Sequence, residues 1–135
     1  MLAYLFKTEP SSYSFADLTR DKSTTWDGVK NPAALKHLWK IRKGDRIVIY
    51  HTGEEKQAIG LAVAVSDAFA DPNAGDPKRA VVKVKAEQAL AKPVPLSEIK
   101  TDPVLRTVEM VRLPRLSIVP LSAAHLKRLL QKAGA

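Results

Sequence analysis

Ala58-Ile59-Gly60-Leu61-Ala62-Val63-Ala64-Val65-Ser66 is the stretch that decides the fold. It alternates with a period of two, which predicts a strand over 58–66. Ile59, Leu61, Val63 and Val65 fall on one face; Ala58, Gly60, Ala62 and Ala64 fall on the other. A face this smooth lets another backbone or a ligand approach closely, and close packing inside a barrel is the simplest cause. Just before it, Arg46 to His51 reads as a second strand, with Gly53-Glu54-Glu55-Lys56 as the turn between.

Downstream, Ala70 to Lys78 carries Pro72, Asn73, Gly75 and Pro77 and reads as a loop, too short to link domains. Arg79 to Glu87 alternates again, with Val82 and Val84 opposite Lys83 and Lys85. Ser97 opens a short turn of helix at Glu98-Ile99, and Leu116 to Val119 is a last strand before Pro120. Ser122 caps a final helix in which Leu126, Leu129 and Leu130 face inward, ending at Gly134. Upstream, Ala3 to Lys7 is a short strand, and Ser14 caps a brief helix through Thr19 that buries Phe15 and Leu18. Trp26-Asp27-Gly28 reads as a turn. Asn31-Pro32 starts a helix with Leu35, Leu38 and Trp39 on one face, which assigns Trp39 to the core. Short strands with helices between and after them predict an α+β fold, a small, strongly curved sheet or barrel with flanking helices. No Gly-rich phosphate loop follows the first strand, which argues against a doubly wound sheet.

The 135 residues suit one domain spanning 1–135 with a single core. No apolar run is long enough to span a bilayer, and the first nine residues lack the basic lead-in and apolar centre of a signal peptide. The absence of cysteine excludes a disulfide scaffold, a thiolate metal site and a cysteine nucleophile; it fits a reducing interior, so a cytoplasmic location is expected. Lys plus Arg exceeds Asp plus Glu by 22 − 14 = 8. That excess favours an anionic partner, nucleic acid first, although it also serves solubility. From Lys30 to Arg46, six cations face only Asp45, either as a solvated face or as a rim that attracts phosphate. All eight aromatic residues lie within the first 69 residues, so any stacked base must find its rings there.

Catalytic chemistry leaves little trace. His37, His51 and His125 lack metal-binding spacing, and neither a nucleophile elbow nor a phosphate loop occurs. Glu54-Glu55 falls in a turn, where solvated carboxylates are expected. No catalytic residue is assigned and neither metal nor cofactor is expected, though a site assembled by the fold stays open. His51 ends its strand, either bonded to backbone or lining a pocket.

Several segments then act together: Lys7-Thr8-Glu9-Pro10 with Tyr13-Ser14-Phe15, Trp26-Asp27-Gly28-Val29-Lys30-Asn31, Lys43-Gly44-Asp45 with Tyr50-His51, and Arg115-Leu116-Ser117. In this order they resemble the EVE domain, and Gly60 falls at a glycine the family carries. The likeness runs from Phe6 to the last helix. The family is related to YTH and PUA-like domains. The resemblance implies a small, curved, PUA-like β-barrel with helices around it, and an aromatic pocket for a modified, methylated nucleobase. It implies as partner a nucleic acid, DNA or RNA, carrying such a base, with no membrane and a monomer by default.

The ligand-binding residues so implied are Lys7, Thr8, Trp26, Val29, Asn31, Tyr50, His51, Arg115, Leu116 and Ser117. Trp26 would stack on the base; Lys7, Thr8 and Asn31 would read its edge; Val29 or Leu116 would accept a methyl; Arg115 would clamp a phosphate. Each has a structural alternative: core packing for Trp26, a polar strand exit for Lys7 and Thr8, an ion pair for Arg115, and a helix cap for Asn31. Two departures weaken the carry-over. Lys30 stands where the family has arginine, and Pro32 and Leu35 stand where many relatives have tyrosine and a further arginine. Three rival readings remain: an RNA-processing or nucleotide-acting enzyme on a similar barrel, a basic binder blind to base chemistry, and a small-molecule or protein-interaction module.

Overall fold

A computed structural model describes residues 2–134. The strands are β1 (Ala3–Thr8), β2 (Ser23–Trp26), β3 (Arg46–His51), β4 (Gln57–Ala64), β5 (Phe69–Ala70), β6 (Ala80–Pro95) and β7 (Ile118–Leu121). The helices are α1 (Phe15–Asp21), α2 (Pro32–Leu38), α3 (Leu96–Thr101), α4 (Glu109–Arg112) and α5 (Ala123–Lys132), with a 3-10 turn at Leu105–Thr107. The sheet runs β2-β6-β4-β3-β1-β7, with β5 paired to β6. β1 and β3 run parallel and the other pairs antiparallel. This is an α+β fold whose curved, barrel-like sheet stays open, with β2 and β7 as its ends.

The curl can be measured. Phe6 on β1 and Trp26 on β2 lie 5.3 Å apart between ring centroids, although β3, β4 and β6 separate their strands in the sheet. β3 crosses the centre of the core, and Ile47, Val48 and Ile49 are each at most 1% exposed. A strand buried on both faces reads as a continuous apolar run, as Ile47-Val48-Ile49-Tyr50 does. α2 packs on both β7 and β6, and so covers part of the seam between the two ends of the sheet.

β4 shows what its small face is for. A Cβ on Gly60 would come within 2.4 Å of the Phe15 ring, so glycine is required there by close approach of an α1 side chain. Ala58, Ala62 and Ala64 share that buried face, while Ile59, Val63 and Val65 reach partly into solvent. The concave side of a tightly curled sheet has little volume and fills with small residues. Ser14 caps α1 by a reciprocal box: its hydroxyl accepts from the Asp17 N–H at 3.0 Å, and the Asp17 carboxylate accepts from the Ser14 N–H at 2.9 Å.

Some elements depart from the sequence reading. The stretch before the Trp26 turn forms β2, and β6 runs on to Pro95 rather than ending at Glu87. The last strand starts at Ile118 rather than Leu116. Trp39 is only half buried, at the edge of the core, with its indole N–H donating to the Lys78 carbonyl at 3.0 Å. The described residues include no helix long and apolar enough to cross a membrane.

Asp102 fastens the C-terminal helices. Its side chain is 2% exposed; it accepts from the N–H groups of Val104 and Leu105 and from Arg128 Nε at 2.8 Å, with Lys132 Nζ at 3.7 Å. Burial pushes this carboxyl up, but the Leu105 N–H, the Arg128 guanidinium and the Val104 N–H outweigh it and hold the pKa at about 2.

Two outcomes follow from this packing. Gly60→Ala should destabilise the fold by about 1–3 kcal/mol, the usual cost of overpacking, with partial recovery when Phe15→Leu is added; paired thermal melts check this. An unfolded aspartate titrates near ~3.9. The unfolded chain therefore takes up this proton first, and the Asp102 contribution should fade as pH falls from about 4 towards 2. The stability gap between the wild type and Asp102→Asn, followed by urea titration at several pH values, should narrow across that window.

Candidate functional site

The end of β1 runs parallel to the end of β3, setting Lys7 beside Tyr50 and Thr8 beside His51. Beyond it the chain turns sharply, the Glu9 carbonyl accepting from the N–H groups of Ser12 and Tyr13 at 2.9 Å each. The Thr8 hydroxyl donates to the Tyr13 carbonyl at 2.6 Å and holds that turn against the strand. The Phe15 N–H, at the start of α1, donates to His51 Nε2 at 3.0 Å. Nε2 is therefore the bare nitrogen; Nδ1 carries the proton and donates to Glu55 Oε1 at 3.0 Å. With both ring nitrogens taken and the residue 5% exposed, His51 offers no free base.

β2 brings Trp26 to the opposite side. Its ring packs on Phe6 at a 52° tilt and meets Tyr13 edge-on, with centroids 6.2 Å apart. Trp26 is 9% exposed, and a half-open cavity of about 390 Å³ lies alongside it. Small-molecule sites typically measure about 300–1,000 Å³. The cavity occupies the uncovered part of the seam. β1 lines it with Lys7 and Thr8, the following turn with Glu9 and Tyr13, and β2 with Thr24, Thr25 and Trp26. The loop Asp27-Gly28-Val29-Lys30 and Ser117 complete the wall. Gly28 has φ +76°, a backbone state that favours glycine, and it turns the chain from β2 towards α2.

The charges around the cavity balance, with Lys7 and Lys30 against Glu9 and Asp27. The Ser11 hydroxyl is the main cause holding the Glu9 carboxyl below the usual carboxylate range, so this acceptor is ionised at neutral pH. Burial lowers the Lys7 amine, which donates to the Pro114 carbonyl at 2.8 Å and sits 5.9 Å from the Tyr50 ring centroid. Burial first, then the hydrogen bond to Asp21, raises the Tyr13 phenol.

Of the residues singled out from the sequence, Lys7, Thr8, Trp26, Val29 and Ser117 meet around this cavity. Asn31 stands just outside; its side-chain oxygen accepts from the N–H groups of Ala33 and Ala34 as the cap of α2. Tyr50 lines a separate hollow, and Leu116 is 4% exposed in the core. Arg115 is exposed and has no acid within ion-pair distance among the described residues. Leu35, at the position of a family arginine, is buried. Sequence reasoning passed over Glu9, Tyr13, Thr24, Thr25, Asp27, Gly28 and Lys30 as site residues. Five of these stand inside the motif segments already quoted, and the β-branched pair before Trp26 is a strand signal. Among the described residues no group of three or more His, Asp or Glu side chains is placed to hold a metal ion.

The EVE domain model matches residues 3–132. The chain belongs to the EVE domain family. This EVE domain is 28% identical to thymocyte nuclear protein 1 of Gallus gallus over 88% of its own length and 63% of that protein's. It therefore spans under two thirds of that relative. The Rpa0253 protein of Rhodopseudomonas palustris superposes with a TM-score of 0.93 at 32% identity, covering 99% of this chain and 94% of that one. Human THYN1, solved in complex with 5-methylcytosine-containing DNA, superposes with a TM-score of 0.90 at 25% identity, covering 100% and 99%.

His51→Leu should leave the Phe15 N–H without an acceptor and destabilise the protein by about 1–3 kcal/mol in urea titration. Glu55→Gln, on a side chain 42% exposed, should cost under about 1 kcal/mol.

Proposed function

We propose that this EVE domain is a nucleic-acid-binding module that takes a single methylated base into the cavity beside Trp26. The observation that carries the reading is the Trp26 ring, held on one side by Phe6 and bordering an open space of ligand size at the seam of the sheet. The similarity to human THYN1, whose complex contains 5-methylcytosine DNA, makes that base in DNA the first probe.

A base inside a duplex is out of reach, so the domain acts on an unpaired or flipped nucleotide. Stacking on an indole contributes roughly 1–3 kcal/mol and tolerates any base. A methyl against Val29 adds only about 1 kcal/mol, which is less than tenfold discrimination. The polar wall must therefore carry the remainder of the selectivity. The Glu9 carboxylate suits an exocyclic amine such as that of cytosine, since carboxylates accept from that group. On the facing side the Ser117 hydroxyl supplies a donor, and the Thr8 hydroxyl, already donating to the Tyr13 carbonyl, offers its oxygen as an acceptor. The role is binding rather than turnover: the one imidazole near this wall has both nitrogens engaged.

Trp26→Leu keeps apolar bulk against Phe6 and removes the stacking face. Fluorescence anisotropy with labelled single strands containing 5-methylcytosine should show affinity falling roughly 5- to 150-fold, from the stacking range above. An RNA strand and an unmodified strand in the same series separate DNA from RNA and modified from plain bases. Equal binding of every strand by both proteins would remove the reading.

A further inference from the structure

A second hollow, of about 350 Å³, lies on the other side of Lys7. Its lining includes Lys7, Tyr50, Lys56, Lys100, Met110 and Pro114, and it contains no carboxylate. None of the three lysines has an acid within ion-pair distance among the described residues. Of the acids in neighbouring segments, Glu9 accepts from Ser11 through Oε2, Glu55 bonds His51, and Glu109 lies 3.7 Å from His37. Lys7 borders both hollows, and its amine lies on this side, against the Pro114 carbonyl and the Tyr50 ring. An ammonium has three donors, and Lys7 spends one on protein.

Lys56 adds an independent sign. Its φ is +46°, a left-handed state that a lysine adopts at a cost. The Lys56 carbonyl accepts from the Leu96 N–H at 2.8 Å, which locks that conformation where β6 meets α3. Glycine or asparagine is the ordinary residue for such a turn, and here the position carries a cation at the rim of a cationic hollow. Strained backbone of this kind clusters at functional sites.

We propose that this hollow holds the phosphodiester flanking the bound base, gripped by Lys7, Lys56 and Lys100. The proposal rests on the base-binding reading of the Trp26 cavity, because Lys7 is the shared wall that puts base and backbone on adjacent sides. The hollow supplies affinity without base selectivity, as phosphate contacts do. Lys7 then positions the nucleotide through its backbone.

The test uses the full chain and labelled single strands with one 5-methylcytosine or one cytosine, titrated at several salt concentrations. Lys56 and Lys100 are exposed, so Lys56→Gln with Lys100→Gln keeps the fold. The double variant should bind both strands at least about tenfold more weakly, with an unchanged preference for the modified one. Its slope of log affinity against log salt should be shallower by about 0.7–1.4, the loss of one or two phosphate contacts on a single strand. Trp26→Leu should weaken binding of both strands and keep the slope, because stacking tolerates any base and touches no phosphate. Lys56→Gly should raise the melting temperature, by relieving the backbone, while weakening binding. Wild-type affinity and slope in the double variant would overturn the proposal. So would inorganic phosphate bound by these lysines with no effect of their loss on oligonucleotides. A flattened slope in a protein without base preference would sink the base reading and leave the phosphate site standing. No binding of any strand by the wild type would end both.

Discussion

The contact of Phe6 with Trp26 sets the shape of this molecule. Two rings from strands that are not neighbours in the sheet touch because the sheet has curled almost onto itself. Burying large aromatic rings is among the strongest contributions available to a small core. Yet the ends do not hydrogen-bond to each other, and α2 covers only part of the gap. What remains is a hollow with an indole for one wall and strand ends for the others. An open seam in a curled sheet is thus both the least finished part of the fold and the place where a flat ring can enter.

The residues that carry the family likeness divide into two physical groups. One group builds the scaffold. Gly60 makes room for Phe15, and His51 accepts the first free N–H of α1. Asp45, 4% exposed, accepts from the N–H groups of Leu2 and Arg42 and ties the N-terminus to the start of β3. The other group faces the cavity: Lys7, Thr8, Trp26, Val29 and the loop around Gly28. The two meet at the end of β1, where Thr8 braces the turn that carries Glu9 and Tyr13. Rigid support of this kind lets a shallow hollow keep its shape without a ligand.

Much of the frame was legible in the sequence because local rules and tertiary packing agree. β3 begins and ends where read, since the Gly44-Asp45 turn before it and the continuous apolar run leave one solution. The caps Ser14, Asn31 and Ser122 all bond as their residue types suggest. β2 escaped as a strand because it is four residues long, too short for its two threonines to set up an alternation, and its pairing with β6 is non-local. β6 outran its expected end because Ala86 to Pro93 breaks the alternation, and bulged pairing with β4 sustains the strand there. The cavity was legible only through Trp26 and the motif segments. The second hollow was not legible, because its walls come from β1, β3, the turn after β3 and the helices beyond β6, parts that no linear pattern connects.

The two indoles give the most direct test of the central claim, that one face of Trp26 is available to a bound base. The chain has two tryptophans, so the indole N–H region of a 15N-labelled sample contains two side-chain signals. On titration with a single strand bearing one 5-methylcytosine, the Trp26 signal should move with ring-current character, while the Trp39 signal, bonded to the Lys78 carbonyl, should hold its position. A saturating titration that shifts backbone amides elsewhere and leaves Trp26 where it was would contradict the account.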